Sequence, residues 1–95
     1  MESTKHIDIT PGTCSGRPRV AGTRIRVQNI VLWTEQGETP DEIVSAYTQL
    51  TLGDVHAALA FYHDNRSEMD QLIQEDGHFI DSIRAKHDQS RKIEA

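Results

Sequence analysis

Two helix-start signals stand close together in the middle of this chain, and they restrict its architecture more than any other feature. The first is Thr39-Pro40-Asp41-Glu42. Thr39 is a capping residue, Pro40 suits the first helical position, and Glu42 completes a capping box by reaching back to the cap. The second, Thr51-Leu52-Gly53-Asp54, repeats the arrangement with Asp54 in the returning position. Only one short helix fits between them. Ile43, Val44 and Tyr47 give it an apolar face, and Thr48-Gln49-Leu50 connects it to the next. Val55, Ala58, Leu59 and Tyr62 then recur at helical spacing over 51–62. Upstream, Val27, Ile30, Val31 and Trp33 fit a helix over 27–36, with Gly37 as its stop.

The segment before these helices has a different period. His6-Ile7-Asp8-Ile9-Thr10 alternates and reads as a short strand, ended by the turn residues Pro11-Gly12. Around Ala21-Gly22 the alternation resumes on both sides, which suggests a tight hairpin or an extended turn. With Ala21-Gly22 as a two-residue turn, Val20 faces Thr23, Arg19 faces Arg24, Pro18 faces Ile25 and Arg17 faces Arg26. Arg17, Arg19, Arg24 and Arg26 then share one face. Like charges directly opposite are destabilising, so such a face makes sense against phosphate or carboxylate. A different register, with some arginines solvated and Arg24 paired to a carboxylate of the acidic middle block, is the competing reading. The fold class expected is mainly α: a three-helix, helix-turn-helix-like domain with a short N-terminal β element and a C-terminal helical extension.

Composition adds a need for support. The chain has 95 residues and a hydrophobic fraction of 36%, below the usual value of about 45–50%. A single cysteine, Cys14, excludes an internal disulfide and suggests a reducing compartment. No apolar run is long enough to span a membrane and no leader is visible, so no membrane partner is expected and the cytoplasm is the default location. A partner chain is the natural support.

The net charge of −5 is uneven. Glu38, Asp41, Glu42, Asp54 and Asp64 crowd residues 38–64, which contain no Lys or Arg. A helix at 51–62 carrying Asp54, His56, His63 and Asp64 is badly suited to lie between phosphates. The helix pair therefore fits either a DNA-binding helix-turn-helix or a plain three-helix packing unit. Catalytic signals are weak. His6, His56, His63, His78 and His87 show no metal-ligand spacing, Cys14 has no base beside it, and no phosphate loop is present. No catalytic residue, metal ligand or cofactor is expected, and the chain does not read as an enzyme.

Beyond Tyr62 the helix has no breaker before Gly77. Met69, Leu72, Ile73, Phe79, Ile80 and Ile83 form an apolar stripe. With the core expected in residues 25–62, this stripe has little left to pack on. It either folds back on its own domain or binds another protein as a helix in a groove. The expected organisation is a domain at 6–63, a helical arm at 64–88, and loose termini at 1–5 and 89–95.

Taken together, several motifs carry a family resemblance from about Ile7 to Tyr62. They are Pro11-Gly12, Cys14-Ser15-Gly16-Arg17-Pro18 and Gly22-Thr23-Arg24-Ile25-x-Val27, then Gly37-x-x-Pro40-x-Glu42-Ile43, Tyr47-x-x-Leu50-Thr51 and Ala57-Ala58-Leu59. The sequence resembles the bacterial and archaeal domain-of-unknown-function family 433, whose members look like VapB-type antitoxins. The resemblance implies a dimeric helix-turn-helix-like protein encoded beside a toxin with a PIN-like ribonuclease fold. It implies that the antitoxin neutralises that toxin through a C-terminal arm and that the complex represses its own operon. The toxin-contact stripe is then Met69, Leu72, Ile73, Phe79, Ile80 and Ile83, with Glu75, Asp76 and Asp81 facing a basic toxin rim. Operator DNA falls to Arg17, Arg19, Arg24 and Arg26. Arg19 and Arg26 stand where members have an apolar residue or proline, and Tyr47-Thr48 replaces a frequent Tyr-Pro. A dimeric protein-interaction module with no DNA role is the alternative from a different class.

Overall fold

The computed structural model describes residues 1–77. Two short strands, β1 (Ile7–Asp8) and β2 (Arg19–Val20), pair antiparallel with Ile7 opposite Val20 and Asp8 opposite Arg19. Four helices follow: α1 (Val27–Glu35), α2 (Pro40–Ala46), α3 (Leu52–Asp64) and α4 (Arg66–Glu75). The fold is mainly α, with the two-stranded element at its N-terminal side, as the sequence suggests.

Both capping boxes form. The Thr39 hydroxyl accepts the Glu42 N–H at 3.2 Å, while Glu42 Oε1 accepts the Thr39 N–H at 3.0 Å. Thr51 and Asp54 make the same exchange at 3.1 and 3.0 Å. Each box satisfies donors that a helix start otherwise leaves open, contributing about 1 kcal/mol. The helices between these ends bury one continuous core. Ile30 and Val31 of α1, Ile43 of α2, Leu50 of the connection, and Val55, Ala58, Phe61 and Tyr62 of α3 are all buried. Ile7 and Val20 close the core from the β side. α3 is the centre of the packing, since α1, α2, β1 and α4 all contact it.

The hairpin register differs from the two-residue turn expected. The Val20 N–H donates to Ile25 O at 2.8 Å, the Val27 N–H donates to Pro18 O at 2.9 Å, and Arg19 bridges Arg26. Val20 therefore faces Ile25, and Arg19 faces Arg26 instead of Arg24. The reason is local. The favoured two-residue hairpin turns require positive φ at the first central residue, yet Ala21 is not among the positive-φ residues and Gly22 is, at +81°. The Thr23 N–H closes a turn on Val20 O at 3.0 Å, with Gly22 in the position where such a turn favours glycine. The Thr23 hydroxyl then accepts the Ile25 N–H at 3.0 Å, so the loop has four residues.

The long helix expected beyond Tyr62 is also broken. Asn65 leaves helical geometry with φ −123° and ψ 37°, ending α3 and starting α4. Its side chain donates to Phe61 O at 3.0 Å, closing the end of α3. α4 then folds back. Met69 is fully buried in the common core, and Leu72 and Ile73 pack against it. The expectation that the stripe has little left to pack on is corrected for these three residues. The core extends past residue 62 and seats Met69 itself. Phe79, Ile80 and Ile83 lie outside the described residues.

Candidate anion-binding site

The four arginines go to different places. Arg17 follows the turn at Cys14–Gly16 and reaches across to the end of α4. Its Nε donates to Asp76 Oδ2 and its Nη2 to Asp76 Oδ1, both at 3.2 Å. The same Nη2 donates to Glu75 Oε2 at 3.1 Å. This two-pronged contact is the arrangement in which guanidinium matches a planar oxyanion best. Gln28, in the first turn of α1, adds its Nε2 to Asp76 Oδ2 at 3.1 Å. Arg26 sits at the cap position of α1, and its charge also acts on Asp76.

Arg19 belongs to a second cluster. Its Nη2 donates to Asp8 Oδ2 at 2.7 Å and its Nη1 to Thr23 O at 2.6 Å. The Thr10 hydroxyl donates to the same Asp8 oxygen. Arg24 is exposed at the turn, and its carbonyl accepts a weak bond from the Cys14 thiol at 3.6 Å. The single open face of four guanidiniums is therefore not formed. Arg17 binds Asp76, Arg26 lies at the start of α1, Arg19 is neutralised by Asp8, and Arg24 is exposed.

On the remaining face, α3 presents exposed His56, His63 and Asp64 and has no Lys or Arg. At its start, His6 Nδ1 lies 2.9 Å from Asp54 Oδ1, tying the β element to the capping box. At its end, the Tyr62 hydroxyl donates to Asp70 at 2.6 Å and Arg66 lies over the Tyr62 ring. Trp33 and Tyr47 stack with ring centroids 4.4 Å apart, joining α1 to the end of α2. Among the described residues no three His, Cys, Asp or Glu side chains are grouped to hold a metal ion. No helix among them is long and apolar enough to cross a membrane.

The match to known proteins covers the strands and the first three helices. Residues 7–62 fit the family model described as "Protein of unknown function (DUF433)". The chain belongs to the DUF433 family. A crystal structure of a DUF433 member protein from Anabaena variabilis is 38% identical to it. That similarity covers 73% of this chain and 68% of the other, with a TM-score of 0.68. No curated protein matches the chain. The DUF433 span holds Arg17, Arg26 and Gln28 but stops before α4. Asp76 and Glu75, which bind Arg17, therefore lie outside it.

Sequence reasoning about this DUF433 chain missed Asp8, Gln28, Glu75 and Asp76 as partners of the arginines. Asp76 is 59 positions from Arg17, and no local pattern links them. The expectation that Glu75 and Asp76 face a toxin rim meets a different arrangement here, with both turned onto Arg17.

Asp76 and Asp54 titrate low. The Arg17 hydrogen bonds hold Asp76 below its ordinary value against the opposing effect of partial burial, with Gln28 and the charges of Arg17 and Arg26 assisting. Partial burial pushes Asp54 up, but hydrogen bonds from Thr51 and His6 together bring it below its ordinary value. Depressed carboxylates contribute stability that is fully present above their unfolded values near 4. That contribution is lost as pH falls through the lower folded values. Thermal melts between about pH 7 and pH 3 are expected to show a falling midpoint below about pH 4. Asp76→Asn is expected to flatten part of that fall, and an unchanged acid limb in this variant would contradict the assignment.

Proposed function

We propose that this DUF433 member is an antitoxin that binds and neutralises a PIN-like nuclease toxin through its C-terminal segment and binds operator DNA as part of the complex. The observation that carries the reading is the α1–α2–α3 unit, in which two capped helices follow a third in helix-turn-helix order, with a basic hairpin immediately before it. The charge distribution favours the hairpin side over α3 as the surface for DNA. Major-groove entry by α3 would bring Asp54 and Asp64 towards phosphates with no cation on the helix to offset them. Arg24 is exposed, and Arg26 stands at the start of α1. Phosphate contacts of this kind position a protein on DNA without reading bases.

On the toxin side, Met69 serves the core. Contact therefore falls to Phe79, Ile80 and Ile83, extended by the half-buried Leu72 and Ile73. In this reading the chain works as a homodimer, in the cytoplasm, and is not an enzyme. A second reading, a dimeric interaction module without a DNA role, is favoured by one observation: Arg17 and Arg19 are already bound to carboxylates of the chain.

Co-expression with the product of the adjacent reading frame tests the toxin half. The wild-type chain is expected to retain that product and suppress its RNA cleavage. Replacing Phe79, Ile80 and Ile83 together by alanine is expected to lower retention about tenfold or more, with the melting temperature followed as the folding control. Retention unchanged by the triple substitution, or no retention by the wild type, would falsify the antitoxin reading.

A further inference from the structure

We infer that Arg17 and Gln28 form a binding site for a backbone phosphate of nucleic acid at the start of α1, and that the Asp76 carboxylate occupies this site as a removable plug. The inference rests on the DNA half of the reading above and names the regulation of that surface. Three donor groups already converge on one planar oxyanion. They are Arg17 Nε, Arg17 Nη2 and Gln28 Nε2, all 3.1–3.2 Å from Asp76 oxygens. The two non-bridging oxygens of a phosphodiester present the same pair of acceptors to a guanidinium fork.

The helix start reinforces the fit. Arg26 caps α1 without a side-chain bond, and no acidic residue occupies the first turn. The positive end of α1 therefore has no anion of its own element. Gln28 is only 8% exposed, and its Oε1 has no partner among the described residues, although its Nε2 is bound to Asp76. The Nε2 adds a buried neutral donor beside the guanidinium fork, while the Oε1, an acceptor, takes no part in binding an anion.

The plug is poorly suited to its own helix. Glu75 and Asp76 stand at the C-terminal end of α4, where the dipole disfavours negative charge, and the last turn has no basic residue. Their side chains are 50% and 29% exposed, so water reaches the contact and an external anion competes on accessible ground. The plug also lies outside the DUF433 span that supplies the two receiving residues.

The test measures retention of a short mixed-sequence DNA duplex against salt for the full chain, Glu75→Gln/Asp76→Asn, and the same double variant with Arg17→Ala. The double variant is expected to bind about tenfold tighter at low salt, with a steeper salt dependence by about one counterion. Arg17→Ala in that background is expected to cancel the gain, and Asp76→Asn alone to give a smaller one. Thermal melts establish that each variant is folded. Equal duplex binding by wild type and double variant overturns the plug and leaves DNA binding by the chain intact. If no variant retains duplex, the DNA reading and the nucleic-acid source both fall. Titration with inorganic phosphate, followed by the Arg17 Nε–H resonance, then decides whether free phosphate is the occupant. A shift confined to the double variant assigns it, and no shift removes the site altogether.

Discussion

A chain cut after Asn65 is expected to lose its cooperative thermal transition. The cut removes Met69, which is fully buried against the rest of the core, and the partial cover of Leu72 and Ile73. Truncating a buried methionine to alanine costs about 2–5 kcal/mol on its own. The cut also strips Tyr62 of Asp70, which accepts its hydroxyl at 2.6 Å. Leaving such a hydroxyl without its partner adds up to roughly 1–3 kcal/mol where it stays buried. A domain of this size has only about 3–5 kcal/mol from its core to lose. Met69→Ala in the full chain isolates the packing part. It is expected to lower stability by about 2–4 kcal/mol in a urea titration. A shortened chain that still melts cooperatively, within a few degrees of the full one, would show that α4 adds nothing to the core. The consequence for functional work is direct. Removing the C-terminal segment at this point tests the fold together with any partner contact, so single substitutions, each with its own melt, are the cleaner probe.

Ile7→Ala is expected to have the second largest effect, about 2–4 kcal/mol. Ile7 is fully buried, lies opposite Val20 in the strand pair and packs β1 against α3. A cavity there loosens the element that positions Arg19 and, through Pro18, Arg17. Hydrogen exchange should therefore accelerate at the amides that hold the hairpin. These are Ala21, which donates to His6 O at 2.8 Å, and Val20, which donates to Ile25 O. A loss below about 1 kcal/mol, with those amides still protected, would show that the strands are peripheral to the fold.

The helix starts were legible because their chemistry is local. Thr39 with Glu42, and Thr51 with Asp54, lie within one turn of each other, and each pair closes its box in the structure. Gly37 ends α1 as expected, at φ +98°. The hairpin register was not legible, since Ala21-Gly22 is compatible with a tight turn until the φ of Ala21 is known. The end of α3 was hidden for a similar reason. Asn65 is neither glycine nor proline, and Met69, Leu72 and Ile73 continue the apolar spacing across the break. The candidate site depended on the pairing of Arg17 with Asp76, which only the folded chain reveals. The sparse apolar content pointed to outside support, yet α4 supplies part of that support from within the chain.

Asn65 is at once the last cap of α3 and the first of α4, so the two helices meet at a single residue with no slack between them. α4 is then held at two points, this joint and Met69 in the core four residues on. Its ten residues reach about 15 Å. A swing of only about 20° at Asn65 carries the far end roughly 5 Å, well past hydrogen-bond reach. The Arg17 contact at the far end of α4 therefore depends on the seating of Met69 as well as on the backbone geometry at Asn65.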